Sequence, residues 1–388
     1  MDTRMTRSMS KRRQEDAESP ALSDFKRRQT DWPAPSLSSG PSISSVEHAS
    51  QNTWEELKAL AFKRINEYKC YGREYEDKLE NVLTEALQWL PEGGRDALAQ
   101  DIIDVRGDDQ MLYDVFANFR TAVMEAIKSV SKEPVTPSPH HKRQKSIDRV
   151  AARLPEPLSR SDDWVRDCRE RDGNHCVISY PFEHEMPQER HLPRANNQGQ
   201  QRDYLEVHHI IPFSLGGFNK KDDHDTAIKW SSIYTAFPKT KAIAASKINT
   251  LENGITLRQE LHRAFQRFLI ALRPTGIPNC YEIKKWQPDE HELALRLLFN
   301  YQLPAGAIVT LRQAVGHADK PLPSTDLLDM HWRVCEIFHA SGMAEEVKLV
   351  EQRWFKLKHD LCGRSLPEDG SLNLEEVLHV AFADHIQV

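Results

Sequence analysis

The chain has 388 residues, which is enough for two or three domains. Of these residues, 39% are hydrophobic and 28% are charged. Its formal net charge of −6 at pH 7 excludes a protein that coats DNA by bulk electrostatic attraction, so any contact with nucleic acid must come from a local basic patch. No stretch is apolar over the roughly 20 residues that cross a membrane, and the six cysteines contain no CxxC pair that would indicate a zinc knuckle or a disulfide framework.

The first fifty residues are rich in Ser, Pro, Arg and Asp and have almost no apolar periodicity, which predicts a disordered tail over 1–50. Two short basic clusters lie within it, "SKRRQ" and "DFKRRQ". They are compatible with a nuclear address and equally with a solvated charged tail. Because the N-terminus has no apolar core of a secretory signal and the scattered cysteines suit a reducing compartment, we expect an intracellular protein, nuclear or cytoplasmic, with the basic clusters favouring the nucleus.

Helical periodicity follows in a module over 51–133, which begins with a capping box formed by Thr53 and Glu56. A stretch with three prolines and a basic cluster then predicts a linker over 134–160. Helical periodicity returns over 287–388. Nothing in either helical flank indicates chemistry, so we interpret both as packing elements or as a surface for a protein partner.

The central region, 161–286, combines strands and helices. Its strand-like segments "YLEVHHII" and "NGITL" are followed by the amphipathic helix "RQELHRAFQRF". The first strand carries the adjacent histidines His208 and His209, Asn253 opens the second strand, and His262 lies on the helix. Taken alone, the two strand histidines need no function, because neighbouring side chains on a strand point to opposite faces and one ring could pack inward.

The order of these residues is what suggests a function. A strand with two histidines, a turn with Asn253, a second strand and a helix with His262 resemble the ββα-metal finger of the HNH endonuclease family, and the nine positions from Asn253 to His262 agree with its colicin-type members. The segments "CVIS", "HHIIPFS", "NGITL" and "LHRAFQRF" are similar to the variety found in filamentous fungi. The resemblance covers residues 165–286. It implies an α+β fold, a mostly helical chain with a central ββα-metal finger domain over 161–286.

The resemblance also implies a role for each residue. His209 would be the general base, Asn253 would orient its ring, and His208 and His262 would be metal ligands. Hydrolysis of a phosphodiester requires these types of group, since a base must deprotonate water and a cation must stabilise the charge on the phosphoryl and leaving oxygens. The implied substrate is DNA, with RNA not excluded, and no membrane is involved.

The helix pattern adds an argument of its own. An apolar stripe runs along it, formed by Leu257, Leu261, Phe265 and Phe268. Beside that stripe lies a polar ridge of Arg258, His262 and Gln266, where Arg258 could hold a phosphate. Gln266 stands where some relatives carry a further histidine ligand. This small ligand set leads us to expect Mg²⁺ or Mn²⁺, with zinc possible.

Two alternatives stay open at this stage. The domain could be a catalytically degenerate HNH fold that acts as a nucleic-acid or protein-binding module, or a finger whose metal is purely structural. Strand alternation also raises an objection to the active form, because His208 and His209 should point apart. Both rings reach one site only if the strand twists or ends irregularly, and Pro212 makes such an ending plausible.

Overall fold

The computed structural model describes residues 53–129, 134–179, 205–288 and 306–346 and four single residues, 295, 296, 299 and 303. The predicted tail over 1–50 and the predicted helices beyond residue 346 lie outside this part of the chain. The fold of the described residues is α+β, as predicted, with many helices and two small antiparallel sheets. Among the described helices, none has both the length and the hydrophobicity that crossing a bilayer requires.

The module predicted over 51–133 is helical where it is described. Its helices are α1 (Trp54–Asn66), α2 (Leu79–Trp89), α3 (Glu92–Asp104), α4 (Asp109–Phe119) and α5 (Glu125–Lys128), the last two joined by a π-helical turn over Arg120–Met124. The first begins as predicted, because the Glu56 carboxylate accepts a hydrogen bond of 2.9 Å from the backbone N–H of Thr53. The apolar faces of these helices belong to one hydrophobic core that continues into the rest of the chain.

The segment 134–160 is more than the linker that its prolines suggested. It contains helix α6 (His141–Ala151), which packs against a later helix, α8 (Asp223–Ala236). Ile147 of α6 is buried with Ala227 and Ile228 of α8. Arg143 pairs with Asp101 of α3 through three contacts of 2.9 to 3.2 Å. A helix that docks through so few apolar groups and one arginine offers few apolar residues from which a prediction could be made.

Two antiparallel sheets lie in the central region. The first pairs β1 (Leu205–His209) with β2 (Gly254–Arg258), and the second has the order β3 (Ile270–Pro274), β4 (Cys280–Lys285) and β5 (Ile308–Thr310). Helix α7 (Asp162–Arg171) precedes β1, and α9 (Gln259–Gln266) follows β2 directly. After Cys176 the chain forms a turn over residues 177–179. Its residue Val177 donates a backbone hydrogen bond to Thr256 of β2 at 3.1 Å.

The long connection between β1 and β2 holds α8 and several 3₁₀ turns. These turns cover Phe213–Leu215, Lys220–Asp222, Pro238–Ala242, Ala245–Lys247 and Leu251–Asn253. Residues 239–248 do not form one regular helix. The carbonyl of Ile243 accepts from the hydroxyl of Tyr234 at 2.9 Å instead of continuing a helical ladder. The chain is extended at Ile243 and Ala244, which separates the two turns there.

Helix α10 (Thr325–Ala340) supports the end of α9. The ring of His331 donates to the carbonyl of Phe265 at 3.2 Å, and the ring of His339 donates to the carbonyl of Phe268 at 2.8 Å. His331 also stacks on the Phe265 ring, with centroids 3.7 Å apart. Burial lowers the pKa of His331 to about 3, so this ring is neutral at pH 7. Both histidines are therefore structural, and they fix the C-terminal end of the helix that carries His262.

Candidate functional site

The predicted histidines lie on a strand pair followed by a helix. In the antiparallel register of β1 and β2, His208 is opposite Ile255 and His209 is opposite Gly254. Strand alternation holds, because the two rings contact different elements: His208 contacts α9, whereas His209 contacts α7. The site therefore has two faces at the end of one strand.

The first face brings His208 and His262 together, as predicted. Nδ1 of His208 lies 3.1 Å from Nε2 of His262, and the ring centroids are 4.8 Å apart in an edge-on arrangement. On its other side, Nδ1 of His262 lies 2.8 Å from a carboxylate oxygen of Glu206. Sequence reasoning missed Glu206, although alternation offered a signal, since it precedes His208 by two residues on the same face of β1.

These contacts determine which ring nitrogen of His262 carries the hydrogen. A carboxylate oxygen accepts, so Nδ1 of His262 carries the hydrogen and its Nε2 presents a lone pair towards His208. Burial lowers the pKa of His262, and Glu206 opposes that effect. Burial, assisted by the neighbouring His262, also holds the pKa of His208 well below its usual value. Both rings are neutral at pH 7, which is the form of imidazole that binds metals.

The second face fixes the ring of His209. It stacks on the indole of Trp164, with centroids 3.7 Å apart and planes 16° apart. Its Nε2 lies 3.0 Å from Oδ1 of Asn249, whose Nδ2 donates to the carbonyl of Ser159 at 3.0 Å. The Ser159 carbonyl thus sets which end of the amide faces the ring. Nε2 of His209 must therefore carry the hydrogen, and Nδ1 keeps a lone pair that can accept a proton.

The environment of His209 keeps it unprotonated. Burial lowers its pKa to about 4; the hydrogen bond to Asn249 raises the pKa and the charge of Arg160 lowers it. Gly254 makes the stacking possible, because a Cβ there would lie 2.5 Å from Sγ of Cys168 and 2.8 Å from the indole of Trp164. The glycine opposite His209 therefore lets α7 approach the strand pair closely.

Asn253 does not have its predicted role. Its side chain is fully buried, accepts from the backbone N–H of Ile211 at 2.7 Å, and donates to the carbonyls of Ile211 and Ile248 at 3.0 and 2.9 Å. No part of this amide is left for His209. The prediction that Asn253 orients the His209 ring is therefore wrong, and Asn249 makes that contact. Asn253 instead secures the backbone where the chain leaves β1.

Substitutions of the two asparagines should have different effects on stability and activity. We expect Asn253→Ala to lower the free energy of unfolding by about 2 to 4 kcal/mol, because it leaves several buried backbone groups without partners. Asn249→Ala removes one contact at the edge of the site and should lower the free energy of unfolding by less than about 1 kcal/mol. It should still lower activity, because the ring of His209 is then held less firmly. Urea unfolding monitored by circular dichroism, beside a cleavage assay, measures both. Equal destabilisation by the two substitutions would contradict these roles.

Arg258 is less available than the sequence suggested. It is the last residue of β2 rather than part of the helix, its side chain is mostly buried, and its Nε donates to Glu260 at 3.1 Å. Its phosphate contact stays a prediction. A second arginine that sequence reasoning missed, Arg160, is exposed, and its guanidinium lies 5.6 Å from the centre of the Phe213 ring, which is a neighbour of His209.

A buried ion pair holds the start of β2 in place. The guanidinium of Arg171 pairs with Asp172 at 2.7 and 2.8 Å and donates to the carbonyls of Leu251 and Gly254 at 2.6 and 2.8 Å. Asp172 in turn accepts from the backbone N–H of Thr256 at 3.2 Å. This network connects α7 to the turn before β2, and with it the Trp164 face to the strand pair.

The geometry agrees with the comparison of the sequence with known families. Residues 176–273 match the HNH endonuclease family model. The match is about a quarter of the chain and includes β1, β2, α9 and all the predicted site residues. It confirms the resemblance to the HNH family for this domain and indicates nuclease activity in general. No curated protein and no solved structure matches the chain.

The HNH domain presents two facing imidazoles rather than a complete metal cage. Within the described ranges, no group of three or more His, Cys, Asp or Glu side chains is arranged to hold a metal ion. The separation of 3.1 Å between the ring nitrogens of His208 and His262 still suits a shared ion. Two nitrogens that each lie about 2.1 Å from one ion, at an angle near 90 to 110°, are separated by about 3.0 to 3.4 Å.

Glu206 should act on this pair through His262. A histidine that binds a metal commonly donates its other N–H to a carboxylate, which fixes the ring and raises its basicity. We expect Glu206→Gln to weaken the binding of a divalent ion by about 10- to 100-fold, measured by isothermal titration calorimetry. The matched control is Glu260→Gln, a neighbouring carboxylate that pairs with Arg258 instead. Equal effects of the two substitutions would contradict a specific role of Glu206.

Proposed function

We propose that this chain is a metal-dependent endonuclease of the HNH type that hydrolyses DNA phosphodiester bonds. One observation carries the proposal: on one face of β1, His208 and His262 face each other with Glu206 behind, and on the other face the next residue, His209, has a defined tautomer. The family match supports the nuclease class, and the substrate and the metal are our inference.

The proposed reaction assigns one step to each residue. Nδ1 of His209 accepts a proton from a water molecule as its oxygen forms the new bond to phosphorus and the bond to the leaving oxygen breaks. Asn249 Oδ1 holds Nε2–H throughout and stabilises the imidazolium that forms. His262 Nε2 and, once the hydrogen of the His208 ring is carried by its Nε2, His208 Nδ1 would hold the ion, with Glu206 orienting His262. A bound divalent ion supplies Lewis-acid stabilisation of the charge on the phosphoryl and leaving oxygens.

The donor set also bears on which ion is used. Two neutral imidazoles are nitrogen donors, which suit Zn²⁺ or Ni²⁺ better than Mg²⁺, an ion that prefers oxygen and retains its water. Mg²⁺ and Mn²⁺, the ions expected from the sequence, would bind this pair more weakly and would depend on water and on phosphate oxygens of the substrate. We therefore propose a divalent ion held by few protein ligands and test the four ions side by side.

The test is incubation of the full chain with supercoiled plasmid. After removal of metal with a chelator, Mg²⁺, Mn²⁺, Ni²⁺ and Zn²⁺ are added back separately, and single-stranded RNA is assayed in parallel. We expect nicked and linear DNA with at least one ion and none with the chelator alone. Retardation of DNA without any cleavage would overturn the proposal in favour of a degenerate HNH fold that only binds, a candidate favoured by the lack of a third described ligand.

An intracellular location, nuclear or cytoplasmic, is part of the same proposal. The cysteines that the structure describes are all free thiols, which is the state expected in a reducing compartment. The helical flanks remain a candidate surface for a protein partner.

A further inference from the structure

Helix α6 carries an exposed row of positive charge outside the HNH domain. Lys142, Lys145, Arg149 and Arg153 follow one another at spacings of three, four and four residues, which places them on one side of the helix. We call these four residues the basic stripe. All four are exposed, and Arg153 lies in the turn that follows α6, next to the C-cap residue Ala152.

The packed side of α6 explains why the basic stripe faces solvent. Arg143, Ile147 and Val150 turn towards α3 and α8, and Ile147 is buried there. Docking through this side fixes the helix and leaves the basic stripe facing solvent. The arrangement follows from the packing, because the two sets of residues are about a third of a turn apart around the helix axis.

The charge of the basic stripe is largely unpaired. Among the described residues, no acidic side chain forms an ion pair with Lys145, Arg149 or Arg153. Lys142 lies 3.6 Å from Asp104, and its side chain is 86% exposed, so the pair is weak. The net charge of the chain is −6, so bulk electrostatic attraction would not bring it to a polyanion. A local row of four cations can still attract one.

The length of the basic stripe fits the backbone of a nucleic-acid duplex. Eleven residues separate Lys142 from Arg153, which corresponds to about 16 Å along a helix. Over that distance, one strand of a DNA duplex presents about five phosphates. Four basic side chains can therefore each reach a different phosphate of the same strand.

The chain leads from the basic stripe directly to the HNH site. After Arg153 it is held against the domain, since the backbone N–H of Leu158 donates to the carbonyl of Gly216 at 2.9 Å. The next residue, Ser159, is the one whose carbonyl orients Asn249. Arg160 then lies with its guanidinium 5.6 Å from the ring centre of Phe213, a neighbour of His209.

We propose that the basic stripe, continued by Arg160, binds the phosphate backbone of a DNA duplex and guides that duplex to the HNH site. The inference rests on the proposed function for its substrate. Its residues lie outside the matched span 176–273, in the segment that the sequence indicated as a linker.

The test compares two triple substitutions of the full chain that remove the same charge. Lys145→Gln, Arg149→Gln and Arg153→Gln together neutralise most of the basic stripe. Lys63→Gln, Lys69→Gln and Arg312→Gln together neutralise three exposed basic residues elsewhere and form the control. Binding of a short fluorescent DNA duplex is measured by anisotropy with chelator present, so that no cleavage occurs, between about 50 and 200 mM salt.

We expect the stripe variant to bind at least about tenfold more weakly at the lower salt concentration. The slope of log affinity against log salt should fall by about 2 to 3, because each lost phosphate contact removes about 0.9. The control should keep both values within about twofold of the wild type. Unchanged binding by the stripe variant, or an equal loss in the control, overturns the inference. Because all six residues are exposed, circular dichroism and the melting temperature should stay at wild-type values.

The result separates this inference from the proposed function. If the wild type cleaves plasmid and the stripe variant binds and cleaves equally well, the basic stripe is not the DNA surface although the endonuclease stands. If the stripe variant loses binding but the wild type fails to cleave DNA with any of the four ions, the DNA surface stands and the endonuclease does not. If the wild type does not bind the duplex at all, the stripe inference is overturned and an acidic protein becomes the better occupant.

Discussion

Replacing His209 with alanine is expected to lower the rate of DNA cleavage by about 10²- to 10⁴-fold, the usual contribution of a general base. The reason is specific to this ring, since Nδ1 of His209 holds the lone pair that accepts the proton while Nε2 is occupied by Asn249. Single-turnover nicking of supercoiled plasmid at saturating ion measures the rate. Binding of the divalent ion should change little, because the facing nitrogens belong to His208 and His262.

The matched control for this substitution is His224→Ala, which removes an exposed histidine of α8. It should leave the rate of nicking at the wild-type value. Nicking by the His209→Ala variant at an undiminished rate would contradict the assignment of the base and, with it, the mechanism proposed above.

The same ring predicts a dependence of activity on pH. A base must be neutral, and burial lowers the pKa of His209 to about 4, so its neutral form predominates above about pH 5. Activity should therefore fall as the pH decreases below that value and stay level towards neutrality. A loss that began near pH 6.5 would indicate an exposed histidine instead of the buried ring in this site.

Replacing His262 with alanine is expected to abolish cleavage together with high-affinity binding of the ion. One of only two facing nitrogens disappears, so we expect the affinity to fall by at least about 100-fold and the cleavage rate to fall by at least about 10³-fold. His208→Ala should have the same effect. The double substitution should be little worse than either single one, because groups that act as a unit are not additive. Calorimetric titration and the plasmid assay measure the two quantities.

The control for this pair is again His224→Ala, which should keep both the affinity and the rate. A melting experiment adds a second readout. If chelation lowers the melting temperature strongly in the wild type and not in His262→Ala, the ion is structural and the catalytic assignment is wrong. If the melting temperature hardly changes while cleavage stops, the ion belongs to the reaction.

Much of the local architecture could be predicted because it depends on neighbours in the chain. The capping box of Thr53 and Glu56 and the apolar stripe of α9 require only a spacing of three or four residues. The pairing of His208 with His262 was reached in a different way, through the order of the motif. No periodicity in the sequence brings two residues 54 positions apart within 3.1 Å.

The errors have a common origin in contacts between distant segments. Asn249 and Asn253 both precede β2, and their sequence positions do not reveal which amide meets the ring of His209. The path of the connection between β1 and β2 decides it, because that path carries the backbone groups of Ile211 and Ile248 to Asn253 and leaves Asn249 beside His209. The docking of α6 was missed for the same reason, since the burial of Ile147 depends on a helix some eighty residues later.

The sequence by itself determined the helical and strand segments with strong periodicity, the order of the histidine motif, and hence the resemblance of the central region to the HNH family. Only the tertiary structure decided which groups lie around the histidines: Glu206 behind His262, Asn249 on His209, and Arg160 beside the Phe213 ring that neighbours His209. The physical reason is the distance along the chain over which each kind of interaction acts. Periodicity and capping arise within one or two turns of chain, whereas tautomers, pKa values and the direction of an exposed charged face depend on which distant segments pack together.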